Sequence, residues 1–207
     1  MALWGKLIAG TVLLITLGGC VDARVQVDVL DAETAHVIIT QAVGAEVYGM
    51  IKLRQAAAAA EAKAQKQAAP APLFCQRGQL TEKADGSATC VLEETGDLAM
   101  LSRGPEGRRL ELVAGEAGQV RVSLPISALR AVVAQQRRKL DEEMQASLPA
   151  LLAQASVTLQ VSGGAVIRTN MVESANGKKA EQRILLRDVL TENENLPAQY
   201  FAVVQAP

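Results

Sequence analysis

The stretch VDARVQVDVL, Val21–Leu30, has a pattern of apolar and polar residues that alternates strictly up to Val29. Its odd-numbered positions carry Val or Ala and its even-numbered positions, up to Asp28, carry Asp, Arg or Gln. Alternation with a period of two predicts a strand that buries one face and exposes the other. The polar turn DAETA and the apolar run HVIIT follow directly, so we expect a second strand that forms a hairpin with the first.

The residues before this strand have the pattern of an export signal. Lys6 provides a positive charge, and residues 7–17 form an uncharged, mostly apolar run that is short for a membrane-spanning helix. The sequence LGGC, Leu17–Cys20, resembles the lipobox of bacterial lipoproteins. This resemblance implies a signal peptide over residues 1–19 and fatty acylation of Cys20, with palmitate or similar chains, as the new N-terminus. The alternatives are a secretory signal with an incidental cysteine and an uncleaved anchor helix.

The resemblance also implies where the protein resides. Acyl chains on Cys20 would hold residues 20–207, which we interpret as one periplasm-facing domain, on a membrane of the bacterial envelope. Val21, rather than aspartate, follows the cysteine, and by similarity to the enterobacterial sorting rule this favours the outer membrane. The formal net charge of -1 and the aromatic content of 2% argue against nucleic acid as a partner.

The next segment is expected to be helical. Val47, Met50 and Ile51 have the spacing of a helix face that packs on a sheet, within a predicted helix over residues 43–67. The alanine-rich tract at residues 55–72 favours helix until Pro70 and Pro72 end it. This tract is either an extension of the helix beyond the core or a semi-rigid spacer.

Two cysteines flank the turn that follows. A hairpin centred on Asp85 and Gly86 would pair residues 80–82 with residues 89–91, which places Cys75 outside simple register with Cys90. Two cysteines in an exported domain are expected to form a disulfide, although free thiols remain an alternative. Their separation is unlike a CxxC motif, so we interpret the disulfide as structural.

The second half of the chain continues as strands and one long helix. Residues 108–125 predict two strands with Gly115 and Gly118 at the turn, and a helix is predicted over Ile126–Ala155. Residues 155–174 and 178–190 predict a strand pair around the turn at Asn176–Gly177, and Phe201–Val204 a last strand. The predicted fold class is therefore α+β, an antiparallel sheet of hairpins packed against two main helices.

Three segments resemble the LppM-like family of bacterial lipoproteins. They are GCVDARVQVDVL at residues 19–30, SGGAVIRTN at residues 162–170 and NGKKAE at residues 176–181. The resemblance implies an α/β sandwich similar to small lipid-associated periplasmic modules, without catalytic residues.

The sequence offers little that supports catalysis. It contains no GxSxG, HExxH or P-loop motif. Its one histidine, His36, is interpreted as an ordinary strand residue, Gly163–Gly164 is not continued as a dinucleotide motif, and the carboxylates Asp188, Glu192 and Glu194 are interpreted as solvated. We therefore expect a protein that is not an enzyme, with no cofactor and no metal.

Two non-enzymatic functions fit this sequence. In the first, the lipoprotein binds a lipid or an envelope protein, with the Val/Leu face of the Ile126–Ala155 helix as a candidate groove wall. In the second, it is an accessory or assembly subunit of a membrane complex that docks through the alanine helix or a sheet edge.

Overall fold

A computed structural model describes residues 21–102, 110–137, 152–191 and 193–207 of the chain. The predicted signal peptide and Cys20 lie outside the described residues, as does Glu192. None of the helices within the described ranges is both long enough and apolar enough to cross a bilayer.

The larger sheet has seven strands in the order β3-β4-β2-β1-β7-β10-β9. The strand bounds are β1 Val21–Val29, β2 Thr34–Val43, β3 Gln79–Glu82, β4 Ala88–Asp97, β7 Ser156–Ser162, β9 Val172–Glu173 and β10 Lys179–Leu185. The predicted β1–β2 hairpin is confirmed, with Val21 opposite Val43 and Val29 opposite Ala35. All neighbouring strands are antiparallel except β1 and β7, which run parallel. The stretch that alternates most strictly is thus the middle strand of this sheet.

The smaller sheet has four antiparallel strands in the order β5-β6-β11-β8. Its strands are β5 Glu111–Ala114, β6 Gln119–Pro125, β8 Ala165–Thr169 and β11 Gln199–Gln205. The described helices are α1 Ala45–Ala64, α2 Leu98–Ser102, α3 Ile126–Arg137 and α4 Leu186–Leu190. The predicted α+β class is confirmed, and the chain builds two sheets where the sequence indicated one.

The main hydrophobic core lies between the two sheets. Each sheet turns its apolar side chains toward the other. The buried side chains include Val27, Val37, Leu159 and Val161 from the larger sheet and Val120, Val122, Ala202 and Val204 from the smaller one. The core is almost entirely aliphatic, as the 2% aromatic content requires. In this arrangement the inner faces of the two sheets form the core, and the alternate residues of each strand lie on the outer faces.

A smaller core lies under the first turns of α1. Val47, Tyr48 and Ile51 pack there on Phe74 and on the ends of β2 and β4. The prediction for Met50 is wrong, because its side chain is 43% exposed and Tyr48 occupies the buried face instead. Beyond Ile51 the alanine tract continues α1 to Ala64, so it is a helical extension over that part.

The β3–β4 hairpin has a register that differs by one residue from the prediction. Leu80 pairs with Cys90 and Thr81 with Thr89, rather than with residues 91 and 90. The amide of Lys83 donates to the carbonyl of Ser87 at 2.8 Å, which leaves an odd number of residues in the loop. Gly86 adopts a φ of 82°, the left-handed conformation that ends such a loop, and an odd loop moves the register by one position.

The predicted single strand over residues 155–174 is also wrong, because the chain forms three strands there. β7 and β9 belong to the larger sheet, whereas β8 crosses to the smaller sheet and pairs with β11. The crossing passes so close to β11 that a Cβ on Gly163 would lie 2.9 Å from the carbonyl oxygen of Gln205. Gly163–Gly164 therefore allows the two backbones to approach each other closely.

The long helix predicted over Ile126–Ala155 is described as α3 only to Arg137. Residues 138–151 lie outside the described residues, and residues 152–154 form a turn. The predicted C-terminal end of this helix is therefore wrong. Leu152 and Ala155 instead form a small buried cluster with Leu186 of α4.

Candidate binding surfaces

The predicted lipidation site directly precedes the middle of the larger sheet. Cys20 itself lies outside the described residues, but Val21 is the first residue of β1 and is paired with Val43. Asp22, the next residue, pairs with Ser156 of the parallel strand β7. A tether at residue 20 would therefore be joined to the folded domain without an intervening linker.

The outer face of the larger sheet is polar, and its side chains are largely paired with one another. Arg24 donates to Gln160 at 3.2 Å and forms a salt bridge of 2.5 Å with Glu181. Two residues before Arg24 on the same face of β1, Asp22 accepts a hydrogen bond of 2.6 Å from the Ser156 hydroxyl, which itself accepts one of 3.0 Å from Arg183. These bonds cross-link β1, β7 and β10, so we assign this face a role in holding the strands together.

The Cys75–Cys90 disulfide joins the segment after α1 to strand β4. The prediction that these cysteines are bonded is confirmed in the structure, with Cα atoms 5.3 Å apart. In the β3–β4 ladder the register partner of Cys90 is Leu80, so Cys75 contacts Cys90 from the segment that precedes β3, outside the ladder. The Gln55 side chain of α1 supports this segment by accepting a bond of 2.9 Å from the amide of Leu73.

A polar contact near the disulfide fixes α1 against β3. The Tyr48 hydroxyl donates to Glu82 at 2.6 Å, and Lys52 lies 3.5 Å from the other oxygen of that carboxylate. Burial, reinforced by the hydrogen bond to Glu82, raises the pKa of Tyr48 to about 12. The same hydrogen bond, together with the Lys52 charge, lowers the pKa of Glu82.

We predict that the Tyr48 hydroxyl ionises at a pH well above the pKa of a free tyrosine. In a Tyr200→Phe background, where Tyr48 is the remaining tyrosine, absorbance at alkaline pH should show a midpoint near 12. Because folding raises this pKa, the stabilisation is complete below about pH 10, the unfolded value, and is lost as the pH rises through the folded pKa. Glu82→Gln should lower the midpoint, and an unchanged midpoint in that variant would contradict the contact.

The outer face of the smaller sheet carries an aromatic side chain between two arginines. The ring of Phe201 in β11 has the guanidinium carbon of Arg121 at 4.2 Å and that of Arg168 at 5.3 Å from its centroid. We call Arg121, Phe201 and Arg168 the arginine–phenylalanine cluster. Our reading of the sequence missed it, although the alternation in QYFAVVQ and QVRVSLP places Phe201 and Arg121 on the side opposite the buried residues.

Over Ile126–Arg137, the face of α3 that was predicted to form a groove wall packs against the main core. Ile126 and Val133 are buried in the main core, and Leu129 packs against it. This face therefore has the core role that helix-spaced apolar residues usually have.

The remaining candidate residues are dispersed. His36 lies in β2 opposite Asp28 and Thr95, while Asp188 pairs with Arg187 at 3.5 Å and Glu194 is exposed in a turn. No group of three or more potential metal-ligating side chains occurs in the part of the chain that the structure describes.

The described residues form an α+β sandwich of two sheets. No protein-family model matches this chain, and no curated protein matches it either. Among solved structures, it is similar to the folded domain of LppM from Mycobacterium tuberculosis, determined by NMR, with a TM-score of 0.46 and 13% identity over 91% of each chain. This degree of similarity does not establish membership of the family or a shared function.

Proposed function

We propose that the chain is a lipid-anchored protein of the bacterial cell envelope that acts by binding a lipid or protein partner and not by catalysis. The observation that carries this proposal is the position of LGGC immediately before β1. Acyl chains on Cys20 would hold the sandwich directly against the bilayer, facing the periplasm. The outer membrane is our preferred location, because Val21 follows the cysteine.

Two further features support an exported binding protein. The disulfide between Cys75 and Cys90 is typical of proteins that fold in an oxidising compartment. Among the described candidates, His36 lies in β2, Asp188 in α4 and Glu194 in a turn, an arrangement that favours binding over acid–base chemistry.

Intact-mass spectrometry of protein purified from its native membrane tests the proposal. We expect a chain that begins at Cys20, carries acyl groups and lacks two hydrogens because of the disulfide. Cys20→Ser should abolish both the acyl mass and the cleavage before residue 20. A wild-type chain that begins at Met1 without acyl groups would overturn the lipid anchor.

The second candidate function is an accessory or assembly subunit of a membrane protein complex. It is favoured by the solvent-facing side of α1, where Leu53 is 74% exposed and Met50 is 43% exposed. Ala57 and Ala60 continue this stripe with the spacing of one helix face. Such a stripe suits docking against another helix, so co-purification with a fixed protein partner would favour this candidate over the first.

A further inference from the structure

The arginine–phenylalanine cluster is part of an amphiphilic surface. Val113, Arg121, Val203 and Arg168 are successive register partners across the four strands, so they form one row on the outer face. Val113 is 56% exposed, and Phe201 lies beside this row on β11. Cationic and apolar groups therefore alternate along one line of the outer face of this sheet.

The two arginines have no acidic partner among the described residues. The salt bridges within the described part of the chain are made by other cations, among them Arg24, Lys52, Arg183 and Arg187. Glu111, an acid on the same face as the two arginines, accepts a hydrogen bond of 3.3 Å from the Ser123 hydroxyl. The contacts of Arg121 and Arg168 are with the ring of Phe201. Stacking on a ring restrains a guanidinium while leaving its N–H groups free to donate.

We propose that this face docks on the surface of an anionic lipid bilayer, with Arg121 and Arg168 binding lipid phosphates. A guanidinium presents a planar fork of donors that matches phosphate oxygens. Val113 and Val203 lie between and beside the cations, where they would contact the boundary between headgroups and acyl chains. This inference rests on the proposed function, because a chain anchored through Cys20 is held within reach of such a surface.

The test uses the full acylated chain, purified from membranes and reconstituted on vesicles, with Phe201→Trp as a reporter. The one native tryptophan, Trp4, lies in the signal peptide that the proposed cleavage before Cys20 removes, so the reporter is the one tryptophan of the acylated chain. Brominated lipids quench a tryptophan that touches the bilayer. We expect strong quenching on vesicles that contain phosphatidylglycerol and weak quenching on phosphatidylcholine alone. Raising the salt concentration should reduce the quenching, because exposed charges are screened.

The charge requirement is tested with a matched pair of double variants. Each cation near an anionic surface contributes roughly fivefold, so R121Q/R168Q should shift the docking equilibrium about 30-fold toward the undocked state. K178Q/K179Q removes the same charge from the β9–β10 hairpin and should leave quenching unchanged. Equal loss in both variants would overturn a specific role for the arginine pair.

The outcomes separate the anchor from the docking face. A protein that does not float with any vesicle has lost the lipid anchor, and this result would overturn the proposed function. A protein that floats but shows no quenching on anionic vesicles would overturn the docking proposal alone. A tryptophan that responds to inorganic phosphate or to a soluble polyglutamate peptide, and not to vesicles, would assign the arginines to a soluble anion and would also overturn it.

Discussion

Replacement of Leu159 by alanine is expected to destabilise the protein by about 2–5 kcal/mol, the range measured for removal of a buried leucine side chain. Leu159 is fully buried in β7, where it is a member of the core between the two sheets. Its strand lies between β1 and β10, so neighbours on both sides are held by ladders and cannot easily close the cavity. The loss would be a large part of the stability of an ordinary domain.

Urea unfolding followed by circular dichroism measures this effect. The matched control is Thr158→Ala, which truncates the adjacent residue of the same strand on the opposite, half-buried face. We expect this control to change the free energy of unfolding by less than about 1 kcal/mol. Similar losses in both variants would contradict the assignment of the core to the space between the sheets.

Removal of the disulfide, as Cys75→Ala with Cys90→Ala, is expected to cost about 3 kcal/mol. The two cysteines are 15 residues apart, and cross-links that close loops of this length stabilise by roughly that amount, chiefly by restricting the unfolded chain. Cys90 is 7% exposed within the smaller core, so the loss of its sulfur also removes packing against Val47 and Phe74. We expect faster hydrogen exchange in α1 and β3, whereas β6 and β11 should keep their protection.

The reductant dithiothreitol provides the control for the disulfide. It should lower the unfolding midpoint of the wild-type protein and leave the double variant unaffected. If the wild-type protein instead contains two free thiols in its native oxidised form, the structural role assigned to this disulfide is wrong.

Much of the local structure could be predicted from residue patterns. The alternation in Val21–Leu30 predicted β1 and its buried face, because a side-chain period of two needs no information from elsewhere in the chain. High alanine content predicted α1, and Asn176–Gly177 predicted the turn between β9 and β10. The errors arose where loop conformation or side-chain burial depends on neighbours, as for the β3–β4 register and Met50.

The binding surface could not be predicted, because its members come from separate parts of the chain. Arg121, Arg168 and Phe201 meet only because β6 and β8 pair on either side of β11. Each of these residues has an ordinary local context, and no spacing in the sequence connects them. Our expectation of a groove on the long helix was a local interpretation of apolar residues, which in the described part, Ile126–Arg137, pack in or against the core.

Residue patterns over short distances were sufficient to predict the β1–β2 hairpin, the first helix, the α+β class and the motif at Cys20, because these features depend on propensity, period and composition. The tertiary structure alone decided the parallel pairing of Asp22 with Ser156, the transfer of β8 to a second sheet and the cluster at Phe201. Pairings between distant residues are selected by the free energy of burying both sheets together, against the entropy of closing long loops. The balance between these two free energies depends on the whole chain and cannot be evaluated from a short stretch of sequence.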